Sequence, residues 1–242
     1  MTSPTARLAP VDLPDFGMPT SMPALPDGTH QSRLERLRAR MGDEGLDHVV
    51  VYADREHSAN MSYLTGFDPR FEEALLIVAR DGSDTILVGN ECVGMADAAP
   101  LPMQVRLHQD FSLPGQPRDS SSPLSAELAA AGIGLGDRVG AIGWKPFPDR
   151  NWLDIPSFIA EAVRTAVGGS GAVGNVVDIL IDPASGLRVV NEVDQIALFE
   201  YAACSTSNGV HRLLTGVEPG LTEQEAVALL GWNGAPLSCH LM

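Results

Sequence analysis

Lysine is almost missing from these 242 residues: Lys145 is the only one, and 16 basic against 31 acidic side chains leave a formal charge of −15. A surface of that sign repels nucleic acid phosphates and has no basic stripe to neutralise them, which excludes nucleic acid as a partner. The acidity itself aids solubility or draws a basic partner. Cysteine is scarce too. Cys92, Cys204 and Cys239 are odd in number and far apart, as in reduced cytoplasmic proteins, and the missing CxxC argues against structural zinc. No apolar run reaches the length of a membrane span, and residues 1–26 lack the hydrophobic stretch of a secretory signal. The chain is therefore expected in the cytoplasm, away from membranes.

Proline is the first thing present in quantity, with Pro4, Pro10, Pro14, Pro19, Pro23 and Pro26 near the start. Each removes a backbone donor and disfavours helix in the residue before it, so residues 1–30 read as an extended arm. Beyond it, Ser32 and Glu35 have capping-box spacing, and Leu34, Leu37 and Met41 give an apolar helical stripe that ends at Gly42 and Gly45. His48 to Tyr52 is a β-branched strand. Ala74 to Val78 runs through Asp81-Gly82 into Thr85 to Val88 as a hairpin. Further strands are expected at Met103–Leu107, Val139–Gly143 and Val176–Ile181, with helices at Pro123–Ala131 and Asp154–Val167. The mixture predicts an α/β fold: a mixed sheet flanked by helices over residues 31–186, with Asp182 to Leu187 as linker.

From residue 187 the pattern changes. Asn191 can cap a helix carrying Ile196, Phe199, Ala203, Val210 and Leu213, and Thr222 with Glu225 can cap a second after Pro219-Gly220. Two helices without a sheet leave apolar faces uncovered, so residues 187–242 read as the start of an incomplete domain.

Few residues suggest chemistry. Asp47, His48, Asp54, Glu56 and His57 lie close in sequence, but strand alternation splits the first two and the others fall in a loop. Asp178 and Asp182 suit turn and cap roles. Gly168-Gly169-Ser170-Gly171 lacks the Gly-Lys-Ser/Thr of a phosphate loop and reads as a flexible connection.

Three motifs stand in order: Arg33-Leu34 to Met41 with Gly45-Leu46-Asp47, then Asn60-Met61-Ser62-Tyr63-Leu64-Thr65-Gly66-Phe67, and Leu187-Arg188 to Ile196 followed by Glu218-Pro219-Gly220-Leu221-Thr222-Glu223. This series resembles the creatinase/aminopeptidase P/prolidase family, its N-terminal domain followed by the opening helices of the pita-bread catalytic domain. Asn191 and Gln195 stand where the family has lysine and glutamate.

The resemblance implies a homodimeric hydrolase that cleaves the bond before proline, or a related small amide, with two divalent ions (manganese, cobalt or zinc). Two Asp, one His and two Glu hold those ions in the family, and no such constellation is found in this sequence. Activity of this stretch alone is therefore not expected. The alternative is a non-catalytic binding protein that keeps the shell, or a stand-alone dimerisation module. The resemblance also singles out Arg70 and Phe71, in Asp68-Pro69-Arg70-Phe71-Glu72-Glu73, as substrate-binding residues offered across a dimer. Their order reverses the Phe-x-Arg of creatine-hydrolysing relatives and argues against creatine. His240, in Gly234 to His240, resembles the family's substrate-pocket histidine and is the one catalytic candidate.

Overall fold

The computed structural model describes residues 9–12, 14, 17, 19–101, 103–232 and 234. These fall into two units: Pro26–Val190, and the segments before Pro26 and after Val190.

In the larger unit the elements run α1 (Thr29–Glu44), β1 (His48–Ala53), α2 (Ala59–Thr65), β2 (Ala74–Ala79), β3 (Thr85–Val88), α3 (Val93–Asp97), β4 (Gln104–Leu107), α4 (Leu124–Ala130), β5 (Val139–Ile142), α5 (Ser157–Val167), β6 (Val173–Asn175) and α6 (Asp178–Ile181). Six strands form one sheet in the order β4-β3-β2-β1-β5-β6. Only β2 opposes the rest: it is antiparallel to β1 and β3, whereas β1–β5, β5–β6 and β3–β4 are parallel. The fold is α/β with a mixed sheet and flanking helices, as the strand and helix patterns predict.

Alternation within the strands divides the core in two. Val49, Val51 and Ala53 of β1 pack with Leu34, Leu37 and Met41 of α1 and with Met61 and Leu64 of α2 on one face. Val50 and Tyr52 pack with Leu128 of α4 and Ile159 and Val163 of α5 on the other. A sheet covered on both faces requires near-continuous apolar strands, which is what β1 and β2 are.

Three local readings need correction. Helix α1 begins at Thr29 rather than Ser32, because Gly28 takes a left-handed conformation (φ 88°) and the Thr29 amide and hydroxyl donate to the Pro26 carbonyl. Ser32 therefore lies inside the helix, and Glu35 accepts from Gln31 rather than closing a capping box. Helix α5 starts at Ser157 because Asp154 is engaged elsewhere, accepting from the Trp144 and Lys145 amides. Val176–Ile181 is not a strand: pairing with β5 ends at Asn175, whose Oδ1 accepts from the Val177 amide and starts the short helix α6. The run is apolar except for Asp178, and a short apolar run of this kind suits a buried helical turn as well as a strand. Helices α2 and α3 are additional to the sequence reading.

The second unit holds α7 (Val193–Gly216) and α8 (Glu223–Leu229). Thr222 and Glu225 form the expected reciprocal capping box at the start of α8. Along α7 only Gly209 is buried, and Ile196 and Phe199 are 51% and 56% exposed.

Two measurable consequences follow from this burial. His108 is buried at the end of β4, with Nδ1 lacking a hydrogen bond and Phe111 edge-on at 4.7 Å. Burial pulls its pKa down, against the raising influence of Asp110, whose Oδ2 lies 4.0 Å from Nε2, and of Glu127, itself paired with Arg106. Since the folded value lies below the unfolded one, this histidine's contribution is complete above about pH 6.5 and declines as pH falls below it. His108→Leu should flatten that limb of the stability profile in urea titrations; an unchanged slope would refute it. Limited proteolysis should cut the chain after Leu187 before it cuts Pro26–Val190, since α7 has so little burial of its own. Equal rates in the two units would refute this.

Candidate functional site

Strands β1, β3, β4, β5 and β6 all end at the same edge of the sheet, where β2 begins. Strand order reverses between β1 and β5, since the chain builds outward through β2, β3 and β4 and then returns to the other side. In open α/β sheets the crevice beyond the carboxyl ends at such a switch point is where ligands bind.

At the exit of β1, the Tyr52 hydroxyl donates to Glu73 Oε1 at 2.8 Å and lies 3.3 Å from Asp54 Oδ2. Burial raises the pKa of Tyr52, and Glu73 and Asp54 raise it further. Burial also raises that of Glu73, with Asp54 adding to it and the Tyr52 hydrogen bond opposing it. Asp54 behaves differently. Burial would lift its pKa, but hydrogen bonds from the His57 ring and from the amides of His57 and Glu56 hold it below the ordinary value. Two half-buried carboxyls that share one phenol thus differ in proton affinity, and Glu73 takes up a proton more readily than an ordinary glutamate.

The His57 Nδ1–Asp54 Oδ1 distance is 2.9 Å. An ionised carboxylate only accepts, so Nδ1 is the donor in this bond. The imidazole stacks on Trp144, at 5.0 Å between ring centroids and 26° between planes.

Trp144 lies on the loop that leaves β5, and four hydrogen bonds hold that loop. Asn60 Nδ2 donates to the Gly143 carbonyl at 2.7 Å, the amides of Trp144 and Lys145 donate to Asp154 Oδ2 at 2.5 and 2.7 Å, and Asn175 Nδ2 donates to the Lys145 carbonyl at 3.1 Å. Gly143 is required, because a Cβ there would run into Asp154. The Lys145 ammonium lies over the rings of Trp144 and Phe147, at 4.7 and 5.0 Å.

Arg70 and Phe71 lie on the turn before β2. Arg70 has φ +63°, the one positive value among described residues other than glycine. Its amide donates to Asp68 Oδ1, and the Pro69 carbonyl accepts from the amides of Phe71 and Glu72 and from Cys92 Sγ. Below the turn, the buried Glu72 carboxylate accepts from the amides of Glu91 and Cys92. A Cβ on Gly89 would come within 2.6 Å of Glu72 Oε2, so only glycine fits there. Burial and Glu72 push the Cys92 thiol up to about 12, which leaves it protonated and unreactive at neutral pH. The Arg70 and Phe71 side chains are exposed.

Sequence reasoning placed Asp54 to His57 in a loop, which is where they are, but missed their partners. Trp144 and Lys145 join them only through the β1–β5 pairing. Asp47 and His48 stand at the opposite end of β1, where Asp47 accepts from the Arg138 amide and pairs with Arg80, and His48 Nδ1 lies 3.5 Å from Asp137. Asp178 pairs with Arg150, and Asp182 accepts from the amides of Ala184 and Ser185 in a turn. Among the described residues no group of three or more His, Cys, Asp or Glu could hold a metal ion, and no helix is long and apolar enough to cross a membrane. His240 lies outside the described residues.

Residues 33–143 match the model of the creatinase/prolidase N-terminal domain. No curated protein matches the chain in sequence. Among solved structures, the Xaa-Pro dipeptidase from Bacillus anthracis superposes with a TM-score of 0.55 at 13% identity, over 83% of this chain and 47% of that one. The prolidase from Pyrococcus furiosus gives 0.57 at 18%, over 81% and 50%, and a dipeptidase from Mycobacterium ulcerans gives 0.55 at 18%, over 85% and 49%. The chain thus spans about half the length of these structures, and at such identities the likeness is one of fold. Over residues 33–143, then, this chain is similar to the creatinase/prolidase N-terminal domain, and beyond them the likeness is one of fold.

Proposed function

We propose that this chain is the amino-terminal portion of a metal-dependent hydrolase of the Xaa-Pro dipeptidase type, acting on the bond before proline or on a related small amide. The observation that supports this beyond the match over residues 33–143 is the Arg70–Phe71 turn. A non-glycine residue in the left-handed region costs about 1–2 kcal/mol. Here that strain is held by the bonds from Asp68, Glu72 and Cys92 while the two side chains stay in solvent. Strain of this kind concentrates where a side chain is aimed at a ligand. In a homodimer, Arg70 would pair with a substrate carboxylate in the neighbouring subunit and Phe71 would cover an apolar side chain. Both acts bind and orient the substrate without entering the bond-breaking step.

Two divalent ions, such as manganese, cobalt or zinc, supply the hydrolytic power in an enzyme of this kind. The described residues do not fit them. This chain's part is therefore confined to binding, orientation and one proton-handling side chain. We assign the last role to His240, whose imidazole can hydrogen-bond substrate or pass a proton near neutrality. The three widely spaced cysteines favour a reducing, cytoplasmic setting.

Arg70→Gly should stabilise the isolated chain by about 0.5–1 kcal/mol in urea unfolding, because glycine relieves the left-handed strain. In the complete enzyme it should raise KM for an Xaa-Pro dipeptide about tenfold with kcat little changed. An unchanged KM would remove Arg70 from the substrate site. In the same enzyme, His240→Ala should lower kcat about a hundredfold with metal content and fold intact. Wild-type turnover would withdraw its role.

A further inference from the structure

The carboxyl ends of β1 and β5 bring together side chains that the Arg70–Phe71 turn does not use. Loop 143–147 is pinned through backbone groups by Asn60, Asp154 and Asn175, yet the side chain it carries first, Trp144, is 47% exposed. His57 and Lys145 cover part of the indole, and the rest offers an apolar surface beside them.

Charge narrows what a ligand there can be. Lys145 is the chain's only lysine, among 31 acidic residues, and its ammonium makes no ion pair among the described residues. It rests on the faces of Trp144 and Phe147, so the place that an aromatic pair would offer an external cation is already taken by an internal one. The nearby carboxyls are committed as well, Asp54 to His57 and Glu73 to the Tyr52 hydroxyl. What remains is a positive charge outside any ion pair among the described residues, a partly exposed indole and the Nε2 edge of His57.

We propose that this cluster at the carboxyl ends of β1 and β5 binds a small organic carboxylate with a flat apolar body. The carboxylate pairs with the Lys145 ammonium, and the flat body lies on the exposed part of Trp144. A hydrogen-bond donor on the ligand, where there is one, meets His57 Nε2. The site is separate from the Arg70–Phe71 turn and stands or falls without the hydrolase reading.

Three probes of one shape test it on the chain as it is: benzoate, benzamide and benzylammonium. A single lysine gives one unambiguous Nζ–Cε signal in NMR. Benzoate should shift that signal and the Trp144 indole signal along one saturable curve. Benzamide, which lacks the charge, should bind about tenfold more weakly, and benzylammonium should leave both signals in place. Lys145→Met should abolish the preference for benzoate over benzamide, Lys145→Arg should keep it, and Trp144→Leu should weaken both ligands. Shifts that rise linearly without saturating, equal binding of benzoate and benzamide by the unsubstituted chain, or a preference that survives Lys145→Met would each overturn the proposal. Should Lys145→Met fail to fold, the three probes on the unsubstituted chain still decide.

Discussion

Strand β1 is buried along its six residues, with β2 hydrogen-bonded on one side and β5 on the other. Its even and odd positions serve two separate cores, and each buried valine contributes about 1.5–3 kcal/mol. A strand with no face in water can carry polar chemistry only at its ends. At the amino end that chemistry is spent on structure: Asp47 ties β1 to the Arg138 amide and to Arg80. At the carboxyl end Tyr52, Asp54 and His57 emerge together, and β5 delivers Trp144 beside them. The position of the candidate site follows from the burial of this one element.

The same constraint explains what could be read in advance. Near-continuous apolar runs marked β1, β2 and the hairpin to β3, because two-sided burial leaves few other compositions. The Val176–Ile181 run is apolar but for Asp178, and the end of the β5 pairing at Asn175 turns it into a helix. The first turn of α1 hangs on a left-handed glycine and a proline carbonyl, which no stripe of leucines announces. In the site, Asp54 and His57 were visible as neighbours in sequence. The stacking of His57 on Trp144 depends on a strand pairing between residues 91 positions apart, and periodicity carries no information about that. Arg70 shows a similar limit. Asp68-Pro69 signals a turn, but a left-handed arginine has no sequence mark of its own.

The support beneath that turn is a small polar core. Glu72 places a carboxylate under the amides of residues 91 and 92, Cys92 returns its thiol to Pro69, and Gly89 leaves the space in which the carboxylate sits. Two loops on either side of the β2–β3 hairpin are thereby held as one body, and the charge is buried only because amide donors meet it. Such a unit holds a geometry rather than adding much net stability, since a buried carboxylate loses most of what its hydrogen bonds return.

Lys145 is followed directly by Pro146, whose ring nitrogen bears no hydrogen. Peptidases that cut after lysine rarely cleave such a bond, so the only lysine in the chain is a poor handle for digestion. For acylating reagents the position is reversed. Among side chains they find a single amine, resting over two aromatic rings, and each molecule modified there loses the ammonium charge that those rings hold. Amine labelling of this protein is therefore site-directed without any engineering, and the label sits where it alters the local electrostatics most.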